Sequence, residues 1–188
     1  MRLVARVSAQ RNHHAEVERA SKVTQPFVST VAAELTEALS RQRRTVKVGF
    51  TGSRHEPTVE QKRFIRRNLY DATELHHGCC VGSDYAAHTC AVALTTQPSI
   101  WLHPPTNEKL MVPLSSLLTR GDIHALSPKP YHDRNRDIVD ACDILIATPN
   151  GPRRPHSGTW YTIDYATRRN VPVVVCLPNG TIDAQHAT

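Results

Sequence analysis

The hydrophobic pattern of the chain changes near residue 46. Residues 1–25 are polar and show no sustained period, so we expect a loosely held arm there. A helical stripe with a spacing of four residues follows, and it could pack on the main domain or on a second copy of the chain, which makes a homodimer an expectation. The stripe consists of Phe27, Val31, Leu35 and Leu39. We therefore predict an N-terminal arm and helix over residues 1–45.

From residue 46 onwards, short apolar runs alternate with amphipathic segments. The apolar runs predict five strands: VKVGFT (46–51), CCVG (79–82), SIWLH (99–103), DILIATP (143–149) and VPVVVCLP (171–178). The amphipathic segments predict four helices, at residues 58–77, 83–94, 133–142 and 157–170. Residues 106–130 show no clear period and suggest a loop or lid with one short helix, and the tail 179–188 suggests a frayed end.

Short apolar strands alternating with helices are typical of a parallel sheet covered on both faces. The sequence therefore predicts an α/β fold: a three-layer, doubly wound, mainly parallel sheet of the Rossmann-like class over residues 46–178. Right-handed crossovers favour a strand order of about 3-2-1-4-5. The loops after strands one and four would then meet at the topological switch point, where such sheets bind ligands.

The composition fits one domain with an extension. At 188 residues, of which 39% are hydrophobic, the chain can bury a core without disulfides or metals. No apolar run approaches a membrane span and no secretory signal is recognisable, so we expect a cytoplasmic protein without a membrane partner. The formal charge of +6 favours an anionic partner, although arginine clusters such as RQRR and GPRRP are equally typical of a solvated surface.

The cysteines and histidines do not point to a metal. Five cysteines are an odd number, and Cys142 and Cys176 stand in apolar runs typical of reduced core residues. The segments HHGCC (76–80) and HTC (88–90) lack the spacing of zinc ligands. We therefore predict no metal site and no bound cofactor.

Two glycine-containing turns after predicted strands could receive an anion. In TGSR, Gly52 permits close backbone approach, while Ser53 and Arg54 add hydrogen-bond donors. In CVGSDYAAH, Gly82 plays the same part, and Asp84 and His88 lie four residues apart on one helix face. Each motif alone has a structural alternative: an ordinary turn with an exposed arginine, or a helix cap with a paired histidine.

Two predicted helix starts carry further donors. In YHDRNRDIVDAC, Asp133 would cap a helix whose first turn holds Arg134 and Asn135, and cations at the positive end of a helix dipole are unfavourable unless an anion joins them. In PHSGTW, a second helix start offers hydroxyl and amide donors suited to phosphate, with a tryptophan that could stack on a base or simply pack. The residues concerned are Ser157, Gly158, Thr159 and Trp160.

Taken together and in this order, the motifs GSR, GSDYAAH, RNRDIVDACDILIA and SGTWYTIDYA resemble the SLOG superfamily of Rossmann-like domains over about residues 46–178. The nearest resemblance is to the nucleotide-binding domain of the DprA family, which implies a nucleotide-derived ligand or single-stranded DNA. The Lonely-guy phosphoribohydrolases share this superfamily and cleave an N-glycosidic bond. Their P-G-G-x-G-T-x-x-E signature is matched here by Pro149, Gly158 and Thr159, with Arg134 or Arg136 in the preceding helix.

This chain departs from the phosphoribohydrolase pattern in two ways. The insertion NGPRRPHS (150–157) replaces the compact glycine turn, and Thr162 stands at the glutamate position, with Asp164 as the nearest carboxylate on that helix. An N-glycosidase needs a carboxylate, so Asp84 or Asp140 would have to act as the catalytic residue.

Three functional hypotheses follow. The first is the binding of a phosphate-bearing nucleotide or nucleotide-derived molecule at the carboxyl edge of the sheet. The second is an N-glycosidic hydrolase or transferase acting on nucleoside monophosphates. The third is the binding of single-stranded DNA along a basic groove.

Overall fold

The computed structural model describes residues 45–119 and 121–185, which fall in a unit beginning at Thr45. The predicted arm and helix over residues 1–45 lie almost entirely outside the described residues. The domain limits proposed from the sequence therefore remain predictions.

A single seven-stranded sheet organises the described residues. Its strands are β1 (Lys47–Gly52), β2 (Glu74–His77), β3 (Ser99–Leu102), β4 (Ile123–Ala125), β5 (Ile144–Thr148), β6 (Val173–Cys176) and β7 (Ile182–Gln185). The order across the sheet is β4-β3-β2-β1-β5-β6-β7, and every pair is parallel except β6 with β7. The chain order reverses direction between β1 and β5, which is the topological switch point.

Helices cover both faces of the sheet. They are α1 (Val59–Leu69), α2 (Ser83–Ala93), α3 (Leu114–Leu117), α4 (Tyr131–Asp140) and α5 (Gly158–Arg168), with a 3₁₀ turn at Glu108–Leu110. Apolar residues of α1, α2 and α3 pack in one buried cluster with Phe50 and Ile146, while those of α4 and α5 pack in another with Leu145 and Val173. Leu145 and Ile146, which are neighbours in β5, therefore pack into different cores on opposite faces of the sheet. This follows from the alternation of side chains along a strand.

The three-layer, Rossmann-like fold predicted from the sequence is confirmed, and the five central strands follow the predicted order. Three local predictions were wrong. The second strand is Glu74–His77 rather than residues 79–82, so α1 ends at Leu69. Residues 106–130, predicted as a loop or lid, contain the edge strand β4, which pairs with β3. The tail, predicted to be frayed, contains the edge strand β7, which pairs with β6. Each of these strands covers an edge of the sheet that would otherwise be unpaired.

Two buried histidines explain why the hydrophobic pattern of the sequence did not reveal the second strand. His77 is fully buried and its Nε2 lies 3.1 Å from Nδ1 of His88, while His76 Nδ1 lies 3.1 Å from Nε2 of His103 on the other face of the sheet. Burial lowers the pKa of His76, His77 and His88, and it lowers the pKa of His103 to about 3. A strand reading E-L-H-H therefore looks polar in sequence although the structure buries most of it.

These histidines predict a loss of stability in mild acid. Unfolded imidazoles take up protons below a pKa of about 6.5, whereas the buried ones stay neutral, so the free energy of unfolding should fall as the pH drops through that value. Each such histidine contributes up to about 1.4 kcal/mol per pH unit. Urea unfolding between about pH 7.5 and about pH 5.5 measures the slope.

Two substitutions identify the source of this slope. We expect His103→Gln to reduce it and His55→Gln, at an exposed position, to leave it unchanged. A free energy of unfolding that stays constant across this range would contradict the assignment.

Candidate functional site

Three helix N-termini meet at the carboxyl ends of β1 and β5. They surround a cavity of about 430 Å³ that is lined by residues of β1, its following loop, the long loop after β5 and the starts of α2, α4 and α5. The first amides of a helix have no acceptor within it. Ser157 caps α5 through its hydroxyl, but Gly82 before α2 and Pro130 before α4 provide no side-chain cap. The cavity is therefore ringed by the positive ends of three helices.

Glycines allow these elements to approach one another. A Cβ on Gly52 would contact Ser83 Cβ and would lie 2.7 Å from Thr148 Oγ1. The amide of Ser83 donates to the carbonyl of Ser53 over 2.9 Å, and the amide of Ser53 donates to the carbonyl of Thr148 over 3.1 Å. The predicted TGSR turn is thus clamped between α2 and β5.

Gly82 makes a second close approach. Its φ is +79°, and a Cβ there would meet backbone atoms of Arg54 and His55. Only glycine combines this backbone conformation with this space. Gly52 and Gly82 therefore act together to position the loop that carries Arg54.

Arg134 forms the floor of the cavity. Its side chain is buried, with one Nη atom 3.3 Å from the Cys80 sulfur and the other 3.9 Å from Asp84 Oδ2. Its Nε finds no partner among the described residues. Asp84 is also buried and accepts a hydrogen bond from the Cys80 amide over 3.1 Å. Burial raises the pKa of Asp84, while the Arg134 charge and this amide act in the opposite direction.

Two exposed arginines stand at the rim. The guanidinium carbon of Arg54 lies 5.1 Å from the centroid of the Tyr131 ring, which also faces Arg134 at 5.7 Å. Arg154 lines the cavity from the loop after β5. Within the described residues neither Arg54 nor Arg154 has an ion-pair or hydrogen-bond partner. Both cations are therefore available to an incoming anion.

The start of α5 is fixed by hydroxyl contacts. Thr159 Oγ1 donates to the carbonyl of Gly52 over 2.9 Å, which ties this helix to the end of β1. The side-chain amide Nδ2 of Asn135 donates to Thr162 Oγ1 over 2.8 Å, and that hydroxyl donates to the carbonyl of Gly158. Thr162, at the position of the phosphoribohydrolase glutamate, is fully buried and acts as a link between α4 and α5.

The structure brings most of the predicted site residues together. Nine of them line the cavity: Gly52, Ser53, Arg54, Asp84, Arg134, Asn135, Ser157, Gly158 and Thr159. Gly82 lies directly behind the Arg54 loop. The four motifs that carried the resemblance thus converge on one edge of the sheet.

Besides Gly82, three predicted residues lie outside this cavity. His88 is one helical turn further from the start of α2 than Asp84 and is buried against His77. Asp140 ends α4 and accepts hydrogen bonds from Tyr165 and Arg169, so it lies away from the helix start that lines the cavity. Trp160 is buried in the apolar cluster beneath α5 and is one of the residues that line a neighbouring cavity.

The helix caps also differ from the sequence interpretation. Helix α4 begins at Tyr131, after Pro130, so Asp133 lies within the first turn rather than at the cap. The helix cap considered as a structural alternative for the GSDYAAH motif is absent, because Gly82 precedes α2 and has no side chain. A proline immediately before YHD was the available signal, because proline is favoured at the beginning of a helix.

Sequence reasoning missed two positions. A Cβ on Gly78 would overlap the guanidinium of Arg134, so this glycine makes room for the buried cation. Tyr131 provides the ring between Arg54 and Arg134. Tyr131 stands three residues before Arg134 and could have been found as an aromatic near cations, whereas nothing in the sequence links Gly78 to Arg134.

Among the described residues, no group of three or more histidine, cysteine or carboxylate side chains could hold a metal ion. In the same part of the chain, no helix combines the length and apolar character that crossing a bilayer demands.

The fold and the crevice at its switch point define a Rossmann-like domain. Its fold is similar to that of DNA processing protein A (DprA) from Helicobacter pylori, with 17% identity and a TM-score of 0.52 over 69% of this chain and 64% of that one. DprA from Streptococcus pneumoniae gives 19% and 0.53 over 70% and 50%. The molybdenum cofactor binding protein of Rippkaea orientalis gives 19% and 0.53 over 71% and 77%.

These similarities establish the fold alone. The matched region spans less than two thirds of either DprA chain. No protein-family model matches the sequence, and a search of curated proteins finds no significant match.

Proposed function

We propose that the protein binds a phosphate-bearing, nucleotide-derived ligand in the cavity between β1 and β5. The observation that carries this proposal is the meeting of three helix N-termini, two without a side-chain cap, around one cavity with two unpaired arginines at its rim. Helix N-termini and guanidinium groups are the usual partners of phosphate in proteins. In this proposal Arg54, Arg154 and the start of α5 hold the phosphate.

The comparisons support a ligand of this class without naming it. The Helicobacter pylori structure is described in terms of single-stranded DNA binding, and the Rippkaea orientalis protein binds the molybdenum cofactor. Single-stranded DNA remains the second candidate here, because exposed Arg54, Arg153 and Arg154 lie around one opening. The hydrolytic alternative depends on Asp84, since it is the only carboxylate lining this cavity among the described residues.

Isothermal titration tests the proposal directly. The wild-type protein is titrated with nucleoside mono- and diphosphates, cyclic dinucleotides, ADP-ribose and a single-stranded oligonucleotide. We expect Arg54→Ala to weaken binding of the best ligand about tenfold or more, because it removes a charge-assisted hydrogen bond to phosphate. Arg67→Ala, an equal charge change near the far end of α1, is the matched control and should bind as wild type does.

The outcomes separate the hypotheses. Absence of binding to every probe, or an Arg54→Ala variant with wild-type affinity, would overturn the proposed site. An oligonucleotide whose affinity falls steeply with salt, with no mononucleotide binding, would favour the DNA hypothesis. Release of free base from a nucleoside monophosphate, abolished by Asp84→Asn, would favour the enzyme.

A further inference from the structure

A second and larger cavity adjoins the candidate phosphate site. Its volume is about 660 Å³, and it lies against the outer side of the α5 start. The two cavities share five lining residues: His132, Arg154, His156, Ser157 and Gly158. They are therefore two parts of one opening, joined where α5 begins. Each is within the size range of sites that hold a drug-sized molecule.

The two parts differ in chemistry. The second cavity has an aromatic wall made by His132 and Tyr161, whose ring centroids are 4.3 Å apart at an interplanar angle of 65°. Tyr161 is held in place because its hydroxyl accepts a hydrogen bond from Arg136 Nε over 2.9 Å. Flat aromatic surfaces of this kind suit a nucleobase, which every nucleotide can present.

The charges of the second cavity are largely neutralised. Asp164, the only carboxylate among its lining residues, is paired with Arg153 over 2.7 Å. Arg154 remains unpaired among the described residues and lies at the boundary of the two cavities. Positive charge is thus concentrated at the junction, next to the exposed start of α5.

We propose that the two cavities form one site for a dinucleotide unit, and this inference rests on the proposed function. The phosphate that links the two nucleotides lies beside Arg154 and the α5 start. One nucleotide occupies the first cavity, and the base of the other lies against His132 and Tyr161. A mononucleotide would leave one cavity empty. A free dinucleotide and two consecutive nucleotides of a single strand share this chemistry.

Titration with three adenine probes tests the inference: dAMP, the linear dinucleotide pdApdA, and an oligodeoxyadenylate of about a dozen nucleotides. We expect pdApdA to bind wild-type protein about tenfold more tightly than dAMP, because base–aromatic contact adds affinity of this order. Equal affinity of the oligomer and pdApdA, counted per site, would identify a free dinucleotide as the ligand. Tighter binding of the oligomer would identify a strand.

Substitutions in the aromatic wall test whether these rings cause the tighter binding of pdApdA. Tyr161→Ala should reduce the ratio of the two affinities to near one, whereas Tyr161→Phe, which keeps the ring, should preserve it. His132→Ala at an exposed position gives the same test if Tyr161→Ala does not fold. Arg67→Ala should leave the ratio unchanged.

Failure of this inference is distinguishable from failure of the proposed function. If dAMP and pdApdA bind wild type equally well, or if Tyr161→Ala and His132→Ala both keep the ratio, the dinucleotide site is wrong while the phosphate site stands. If none of the three probes binds, the dinucleotide site is wrong, and the phosphate site falls with it only if every probe of the wider panel also fails to bind.

Discussion

Arg134→Met is expected to lower the free energy of unfolding by about 3–5 kcal/mol at neutral pH. The substitution keeps most of the side-chain volume but removes the charge opposite Asp84, whose carboxylate is buried below the cavity. A buried carboxylate without its cation must either stay charged in an apolar setting or take up a proton, and both cost free energy. Urea unfolding of wild type and variant at matched pH measures the loss.

The pH dependence of this loss identifies its cause. Burial already raises the pKa of Asp84, and removing Arg134 takes away the group that opposes this rise. A carboxyl whose folded pKa is raised loses stability as the pH rises above its unfolded pKa. The penalty of Arg134→Met should therefore become smaller as the pH falls from about 8 to about 5. Comparing each variant with wild type at the same pH removes the contribution of the buried histidines.

A double substitution provides the control. Asp84→Asn in the Arg134→Met background removes the unpaired charge, so it should recover part of the stability and abolish the pH dependence of the penalty. A penalty that is independent of pH, and that Asp84→Asn does not relieve, would mean that Arg134 acts by packing alone.

The sequence predicted the architecture well because the central strands are short apolar runs separated by amphipathic helices. The meeting of the loops after β1 and β5 could be predicted from topology alone, since neighbouring parallel strands end at the same edge of the sheet. It also predicted that Arg54, Arg134 and the start of α5 would meet. These residues stand directly after strands or at helix starts, where position along the chain determines position in the fold.

The predictions that could not be made depend on contacts between distant segments. The i, i+4 spacing placed Asp84 and His88 on one face, but it could not show that Asp84 turns to Arg134 while His88 turns to His77. Asp140 stands in the same helix as Arg134, yet the helix is long enough to carry it away from the cavity. The role of Gly78 arises only when the fold brings the Arg134 guanidinium of α4 against the residue that follows β2.

The largest purely conformational effect is expected from Gly82→Ala. An alanine there would need a φ of +79° with ψ at −123°, a region that side chains rarely adopt, and its Cβ would press on backbone atoms of Arg54. Backbone strain and overpacking each cost on the order of 1–3 kcal/mol, so we expect a loss of about 2–5 kcal/mol in the free energy of unfolding. Urea unfolding measures this loss.

Gly151→Ala is the matched control, because Gly151 has no positive φ and open space around its Cβ position. Its free energy of unfolding should stay within about 0.5 kcal/mol of wild type. Since Gly82 supports the loop that carries Arg54, the folded fraction of Gly82→Ala should also bind phosphate-bearing ligands more weakly than Gly151→Ala does. If Gly82→Ala matched Gly151→Ala in both stability and binding, the close approach of α2 to the Arg54 loop would not be what shapes the cavity.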